Sequence, residues 1–199
     1  VHDVLVQEHG VLGWLSRPQL TIPVGVVLWV LGVRGVDLRS MSDLGLLSVI
    51  RPVAYAGLAV VLVSVLANLI PARPNGWRLG PLLAAYIAMV HGTPAAIYTA
   101  LRYSWAWKHV GIVDYILRQH GTDPAIGSLA VYHQWPGFFS AAATLTRTVG
   151  THNALAIASW APVAFNLLNL AVLLLVLSSL ADDRRVVWLA TTFFFVTNW

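Results

Sequence analysis

The sequence predicts an all-α integral membrane protein with four full transmembrane helices and a shortened fifth. The chain is 58% hydrophobic and only 10% charged, whereas charged residues make up about 25% of a typical soluble domain. The apolar residues are gathered into long uncharged runs, which short clusters of arginine and aspartate separate. This distribution is typical of polytopic membrane proteins, and we expect a single transmembrane domain over residues 1–199.

Five apolar runs define the predicted transmembrane helices. They lie at about residues 18–34, 52–71, 79–101, 155–180 and 186–199. The first run is short for a bilayer core, which a helix of about 20 residues crosses. The next three are long enough, but the fifth reaches Trp199 after too few residues to cross. We therefore expect the chain to be the N-terminal part of a longer protein. The charged residues 182–185 are expected to form a solvated turn before the fifth run.

The basic residues narrow the class of protein further. Lys108 is the single lysine among twelve basic residues, a bias typical of GC-rich bacterial genomes. We expect a multi-pass protein of the bacterial plasma membrane, with a cytoplasmic N-terminus and residues 102–151 on the outside. No basic run could follow a phosphate backbone, so nucleic acid is not an expected partner. The absence of cysteine excludes thiolate metal sites.

The segment 102–151 is too long and too aromatic for a passive connector. Its opening carries Tyr103, Trp105 and Trp107, and such side chains prefer the headgroup zone of a bilayer. The pattern predicts an interfacial loop in which two amphipathic helices, joined by a polar turn, lie along the membrane surface. The first helix places four apolar residues on one face: Val110, Val113, Ile116 and Leu117.

The ends of the two predicted helices follow from glycine and proline. Gly121 is expected to end the first helix, because glycine readily adopts the left-handed conformation found there. Pro136 suits the first turn of the second helix, where its missing N–H leaves no hydrogen bond unmade. Three apolar residues then line one face of that second helix: Phe138, Ala142 and Leu145.

Polar side chains with useful chemistry lie within this apolar frame. They are His109, Asp114, Arg118, His120, Asp123 and His133. A carboxylate can act as general base on a hydroxyl, histidine and arginine can hold phosphate oxygens, and carboxylates with histidine can bind a divalent metal. The same side chains could also simply face water beside the lipid headgroups. Spacing alone leaves these four interpretations open.

Two stretches of the loop share a pattern with a known family. They are residues 108–116 (KHVGIVDYI) and 132–137 (YHQWPG). An acidic residue soon after a span, followed by a histidine–proline element before a second interfacial helix, resembles the first outer loop of the GT-C glycosyltransferases. Those multispan enzymes use polyprenyl-phosphate-linked sugars at the outer membrane face. Residues 193–199 (FFFVTNW) are similar to a span of such bacterial proteins.

The resemblance implies inverting sugar transfer from a polyprenyl-phosphate-linked donor within a lipid membrane. It implies that Asp114 takes a proton from the acceptor hydroxyl, and that His109 and His133 are also catalytic. The implied substrate-binding residues are Arg102, Lys108, Arg118, Tyr132 and Trp135. No cofactor and no metal ligand are assigned, although a divalent metal stays open as a cofactor.

Two departures from the family pattern make Asp37 the competing acid. The acidic residue of the family immediately follows a span, whereas His109 occupies that region here and Asp114 follows it. The site loop of the family also follows the first span, and here the candidate loop follows the third. Asp37 lies just after the first predicted span and on the same predicted side of the membrane as residues 102–151.

Two functions of other classes stay open. A transporter or flippase would carry ionisable residues within its spans, and His91 is one such residue. A non-catalytic membrane assembly protein would dock a partner on the interfacial loop, and its function would survive substitution of Asp114 and His133. Asn166 and Asn169 in the fourth span are expected to form interhelical hydrogen bonds.

Overall fold

The computed structural model describes residues 11–71, 73–151 and 153–198, and the chain is all-helical over these ranges. The predicted all-α fold class is therefore confirmed. Within the described ranges the α-helices are α1 (Val11–Leu15), α2 (Pro18–Val33), α3 (Pro52–Leu69), α4 (Gly76–Ile97), α5 (Ser104–Gln119), α6 (Ala130–Gln134), α7 (Gly137–Thr148), α8 (Ala154–Leu180) and α9 (Arg184–Thr197). Short 3₁₀ helices occur at Leu38–Ser40, Gly45–Ser48 and Gly127–Leu129.

Three helices, α3, α4 and α8, are long and apolar enough to cross a membrane. They correspond to the second, third and fourth predicted spans, although α4 begins and ends a few residues earlier than predicted. Helix α2 is equally apolar but has 16 residues, which is about 24 Å of helix against a hydrocarbon core of about 30 Å. The long apolar helices indicate a membrane protein.

The longest helix, α8, is hardly buried by the rest of the chain. Only 6% of its most apolar stretch is buried, and Leu170 is the buried residue near its middle. Large apolar side chains such as Leu168 and Leu175 are more than half exposed. A helix that is apolar on all sides is stable only against lipid or another protein.

The contacts divide the chain into two compact units. Unit 1 comprises the described residues of Val1–Ile97 and Val163–Trp199, and unit 2 comprises those of Tyr98–Pro162. In unit 1, helices α2, α3 and α4 pack together, and their shared core includes Trp29, Val61, Val65, Leu82 and Ile87. The prediction of one transmembrane domain over the whole chain stays a prediction.

Glycines let α2 and α3 approach each other closely. A Cβ atom on Gly57 would lie 2.8 Å from the backbone nitrogen of Trp29 and would also overlap the backbone oxygen of Gly25. A Cβ atom on Gly32 would lie 2.7 Å from the Cα atom of Ala54. Small residues at such contacts are typical of membrane helix pairs, because close approach of the backbones increases van der Waals contact.

Buried polar side chains connect the helices of unit 1. The hydroxyl oxygens of Thr21 on α2 and Ser64 on α3 are 2.9 Å apart, and the Ser64 hydroxyl donates to the backbone oxygen of Leu15 at 2.6 Å. The indole N–H of Trp29 donates to Oγ1 of Thr93 on α4 at 2.9 Å. Because buried polar groups need partners, these bonds select one register of the helices.

Helix α9 corresponds to the shortened fifth predicted span, and it packs against α3 and α4. Trp188 and Phe195 of α9 are buried in the core that this helix shares with α3 and α4. A Cβ atom on Gly76, the first residue of α4, would lie 3.1 Å from the Trp188 ring. This glycine therefore lets the indole lie against the start of α4.

In unit 2, α5 and α7 are the two helices predicted within residues 102–151, and they pack against each other. Their core contains Ile112, Val113, Ile116, Phe139 and Ala143. The sequence did not predict α6 or the 3₁₀ turn at Gly127–Leu129.

Of the apolar stripe predicted on α7, Ala142 packs against this core, whereas Phe138 and Leu145 are 53% and 50% exposed. The buried residues of α7 are Phe139, Ala143 and Thr146. The buried face of α7 is therefore shifted by one residue from the predicted one. That α7 lies along a membrane surface stays a prediction.

Candidate functional site

Asp114 lies on an exposed face of α5 and forms an ion pair within that helix. Its Oδ2 atom is 2.6 Å from Nη2 of Arg118, one turn later. The side chains of Asp114 and Arg118 are 43% and 69% exposed, so water screens the pair, and such pairs contribute about 0.3–0.5 kcal/mol. The carboxylate is open to an incoming substrate, and little free energy keeps Arg118 in place.

His109 lies on a different side of α5 from Asp114, because five residues correspond to about 140° around an α-helix. Its ring centroid is 5.5 Å from that of Tyr132 and 5.6 Å from that of Phe139. The Tyr132 and Phe139 rings also meet edge to face at 5.4 Å. His109 thus belongs to the aromatic cluster that joins α5 to α6 and α7, and among the described residues no contact joins it to Asp114.

His133 is buried and hydrogen-bonded to the backbone. The residue is only 3% exposed, and its Nδ1 atom accepts a hydrogen bond from the backbone N–H of Asp123 at 3.1 Å. The ring also meets Tyr115 edge to face at a centroid distance of 5.0 Å. An Nδ1 that accepts a hydrogen bond carries no proton, so the remaining nitrogen, Nε2, bears the proton of the neutral ring. These contacts hold the turn after α5 against α6.

Replacing His133 with phenylalanine should destabilise unit 2 by about 1–3 kcal/mol, because the Asp123 N–H loses its acceptor while the ring packing survives. Hydrogen exchange of the amides at residues 121–126 in the detergent-solubilised full-length protein measures the effect. The matched control is His109→Phe, since His109 packs only through ring contacts among the described residues. Equal protection of these amides in both variants would contradict the role given to His133.

Two of the three predicted substrate-binding cations, Arg102 and Lys108, lie over aromatic rings at the start of α5. Nζ of Lys108 lies 3.9 Å from the centroid of the Trp105 ring, and Cζ of Arg102 lies 5.6 Å from the centroid of the Tyr103 ring. Each contact is worth about 0.5–1 kcal/mol at an exposed site. Trp135, after α6, is 80% exposed. Cations on exposed aromatic rings suit the headgroup zone, where rings and phosphates meet.

Arg147 is a structural residue that sequence reasoning missed. Its Nη2 atom lies 2.8 Å from Nδ1 of His120 and donates to the backbone oxygen of Leu117 at 3.1 Å. His120 ends α5 in the left-handed conformation with φ of 57°. The prediction that Gly121 ends this helix is therefore wrong, because a cation 27 residues further on binds the helix end and stabilises the turn on His120 instead.

Asp37, the competing acid, lies in unit 1 and begins a short helix. Its Oδ1 atom accepts the backbone N–H of Arg39 at 3.0 Å, at the start of the 3₁₀ helix Leu38–Ser40. The residue is exposed. Its carboxylate has a local structural role, which an asparagine side chain could also fill.

The described parts of the chain contain no group of three or more histidine, aspartate or glutamate side chains that could share a metal ion. Unit 2 presents an exposed carboxylate with a weakly held guanidinium, two further cations on aromatic rings, and two histidines within its packing. That set can bind phosphate and accept a proton. Comparison of the chain with protein-family models, with curated proteins and with solved structures finds no match.

Proposed function

We propose that this protein is a membrane glycosyltransferase, which moves a sugar from a polyprenyl-phosphate donor to an acceptor at the outer membrane face. The observation that carries the proposal is the exposed Asp114–Arg118 pair on a compact helical unit, which the chain inserts between the long apolar helices α4 and α8. Charged side chains of this kind can bind the phosphate and the acceptor hydroxyl of a lipid-linked reaction, and an apolar helix is compatible with the lipid around the polyprenyl chain. The resemblance of residues 108–116 and 132–137 to the GT-C family supports the same proposal.

The transfer step uses Asp114 as general base. The acceptor hydroxyl oxygen attacks the anomeric carbon of the sugar while the Asp114 carboxylate takes the hydroxyl proton. The bond from that carbon to the donor phosphate oxygen breaks, and polyprenyl phosphate leaves with the electron pair. Arg118, released from its weak pair with Asp114, binds the phosphate. Arg102 and Lys108 lie near the other end of the 16-residue helix α5, where they can contact lipid headgroups.

The other predicted site residues support this step from their observed positions. His133 acts as a positioning residue, because it holds the turn at Asp123 against α6. His109 and Tyr132 lie in the aromatic cluster that joins α5 to α6. Trp135 is exposed enough to contact the sugar or the headgroup zone. A divalent metal stays open as a cofactor.

The proposed enzyme crosses the bacterial plasma membrane with α2, α3, α4 and α8. Although α2 is short, it packs along α3 through Gly25, Gly32 and Gly57, and a short span is accommodated by local thinning of the bilayer at modest cost.

A second candidate function is that of a non-catalytic membrane assembly protein. Helix α8 carries Asn169 near its middle, where the side chain is exposed. The described residues offer this amide no partner, and an amide in hydrocarbon favours a hydrogen bond to a neighbouring helix. An assembly protein would use this helix, with its few contacts inside the chain, to join a second membrane protein.

The donor-binding part of the proposal predicts that Arg118→Gln raises the KM for the polyprenyl-phosphate sugar about tenfold. A lost charge-assisted contact to phosphate accounts for this factor, since about 1.4 kcal/mol corresponds to tenfold in affinity. Transfer of radiolabelled sugar by the full-length protein in liposomes measures the change. The control Arg39→Gln removes the same charge from an exposed residue of unit 1. If the purified protein transferred no sugar, and the Arg118→Gln variant kept its function in the cell, the glycosyltransferase proposal would fail. The assembly function would then be favoured.

A further inference from the structure

Unit 1 has two clefts that both include the start of α9: one also includes the start of α4, and the other the end of α3. The first, of about 590 Å³, is polar and is lined by Arg73, Asn75, Trp77 and Arg184 among others. The second, of about 390 Å³, is apolar and is lined mainly by aliphatic residues of α3 and α9, including Leu66, Ala67 and Leu189, with Arg185 at one side. Arg184 thus lines the polar cleft, and the next residue, Arg185, lines the apolar cleft.

The backbone around the polar cleft is fixed by local contacts. The Asn75 side chain accepts the N–H of Trp77 at 3.0 Å, and the Asp183 side chain accepts the N–H of Arg185 at 2.8 Å. The close contact of Gly76 with the Trp188 ring holds the start of α4 against α9. The cleft is therefore framed by two packed helices. Residues 182–185 are exposed, as the sequence predicts for a solvated turn, and Arg184 and Arg185 begin α9.

Among the described residues, the arginines of the clefts have no carboxylate partner within 4 Å. In the described ranges the ion pair within 4 Å is that of Asp114 with Arg118, so neither Asp182 nor Asp183 pairs with Arg184. Arg73, Arg184 and Arg185 are all exposed. Three unpaired guanidinium groups, with two carboxylates nearby, leave this end of unit 1 positive. An anion with planar oxygen pairs, such as phosphate, is the ligand that guanidinium groups bind best.

We propose that these clefts bind one anionic phospholipid, with its phosphate between Arg73 and Arg184 and an acyl chain in the apolar cleft. The apolar cleft distinguishes a lipid from free phosphate, because only a lipid gains free energy by covering Leu66, Ala67 and Leu189. Trp77 is 92% exposed, and an indole beside a lipid headgroup is its preferred position in a bilayer. Basic clefts between membrane helices are known to bind anionic headgroups.

This site is distinct from the proposed transfer site. All of its residues belong to unit 1, and none takes part in the proton transfer or donor binding assigned to unit 2. Lipid binding is measured without any sugar substrate. Failure of one proposal therefore leaves the other standing.

The test is titration of the purified full-length protein in detergent with dioleoylphosphatidylglycerol, read by native mass spectrometry. Arg73→Gln and Arg184→Gln should each weaken binding about fivefold and together about thirtyfold. Arg78→Gln removes the same charge from the start of α4 outside the cleft, and it should weaken binding by less than about twofold. If Arg78→Gln weakened lipid binding as much as Arg73→Gln, the lipid would be attracted by positive charge in general, and the proposed site would be wrong.

A second arm separates a lipid from free phosphate. Ala67→Phe fills the apolar cleft, so it should weaken binding of dioleoylphosphatidylglycerol while leaving binding of dihexanoylphosphatidylglycerol unchanged. Dioleoylphosphatidylcholine should bind at least about tenfold more weakly than dioleoylphosphatidylglycerol, because its choline opposes the arginines. Two outcomes would contradict the proposal. One is displacement of the bound lipid by inorganic phosphate at an equal concentration, and the other is equal affinity for the two dioleoyl lipids.

Discussion

Replacing Asp114 with asparagine should lower the rate of sugar transfer by the full-length protein by about 10²–10⁴-fold, the usual contribution of a general base. Asparagine keeps the size of the side chain but cannot take the hydroxyl proton. The exposed ion pair with Arg118 is worth little to folding, so the variant should unfold at nearly the same temperature as the unchanged protein. Initial rates at saturating donor, measured in liposomes, give the comparison.

The matched control for this experiment is Asp37→Asn. Asp37 caps a short helix through an oxygen that asparagine also provides, so this variant should transfer sugar at nearly the unchanged rate. The reverse pattern, an inactive Asp37→Asn and an active Asp114→Asn, would move the general base to unit 1. Activity in both variants would remove the carboxylates from the mechanism and would favour the assembly function.

The second large effect is expected from Gly57→Ala, which should destabilise the α2–α3 pair by about 1–3 kcal/mol. The added methyl group would overlap the Gly25 carbonyl and the backbone nitrogen of Trp29, and neither can move without separating the helices. Overpacking against a backbone cannot be relieved by a change of rotamer. Thermal unfolding of the detergent-solubilised protein, followed by loss of helical circular dichroism, measures the change.

Gly80→Ala is the control for this substitution, because the same methyl group on Gly80 of α4 meets nothing within 4 Å. It should leave stability unchanged or raise it by up to about 1 kcal/mol, since alanine loses less backbone entropy than glycine on forming a helix. If both variants unfolded at the same temperature, the α2–α3 contact would be looser than the structure shows.

The helical class and the positions of the long helices could be predicted because they depend on local composition. Uncharged runs between arginines are stable as helices in hydrocarbon, and α3 and α8 follow those runs closely. How helices pair depends on which face meets which, and that is not a property of one run. Gly25 and Gly57 look alike in sequence to Gly80, yet only the first two lie in a close contact.

The candidate site shows the same limit. The pairing of Asp114 with Arg118 follows from their spacing of four on a helix, so the sequence could indicate it. The end of α5 could not be predicted, because Arg147 on α7 stabilises the left-handed His120 from outside the local sequence. The burial of His133 likewise depends on the turn at Asp123, which reaches it only after folding.

The pairing of α2 with α3 has a consequence for how the protein is made. The glycine contacts and the Thr21–Ser64 hydrogen bond join two helices that follow each other in the chain. Ribosomes add about 5–20 residues per second, so this hairpin can close seconds before Thr93 emerges to receive the Trp29 indole. The order of synthesis therefore lets α2 and α3 pair first, and α4 can then pack onto a finished pair of helices.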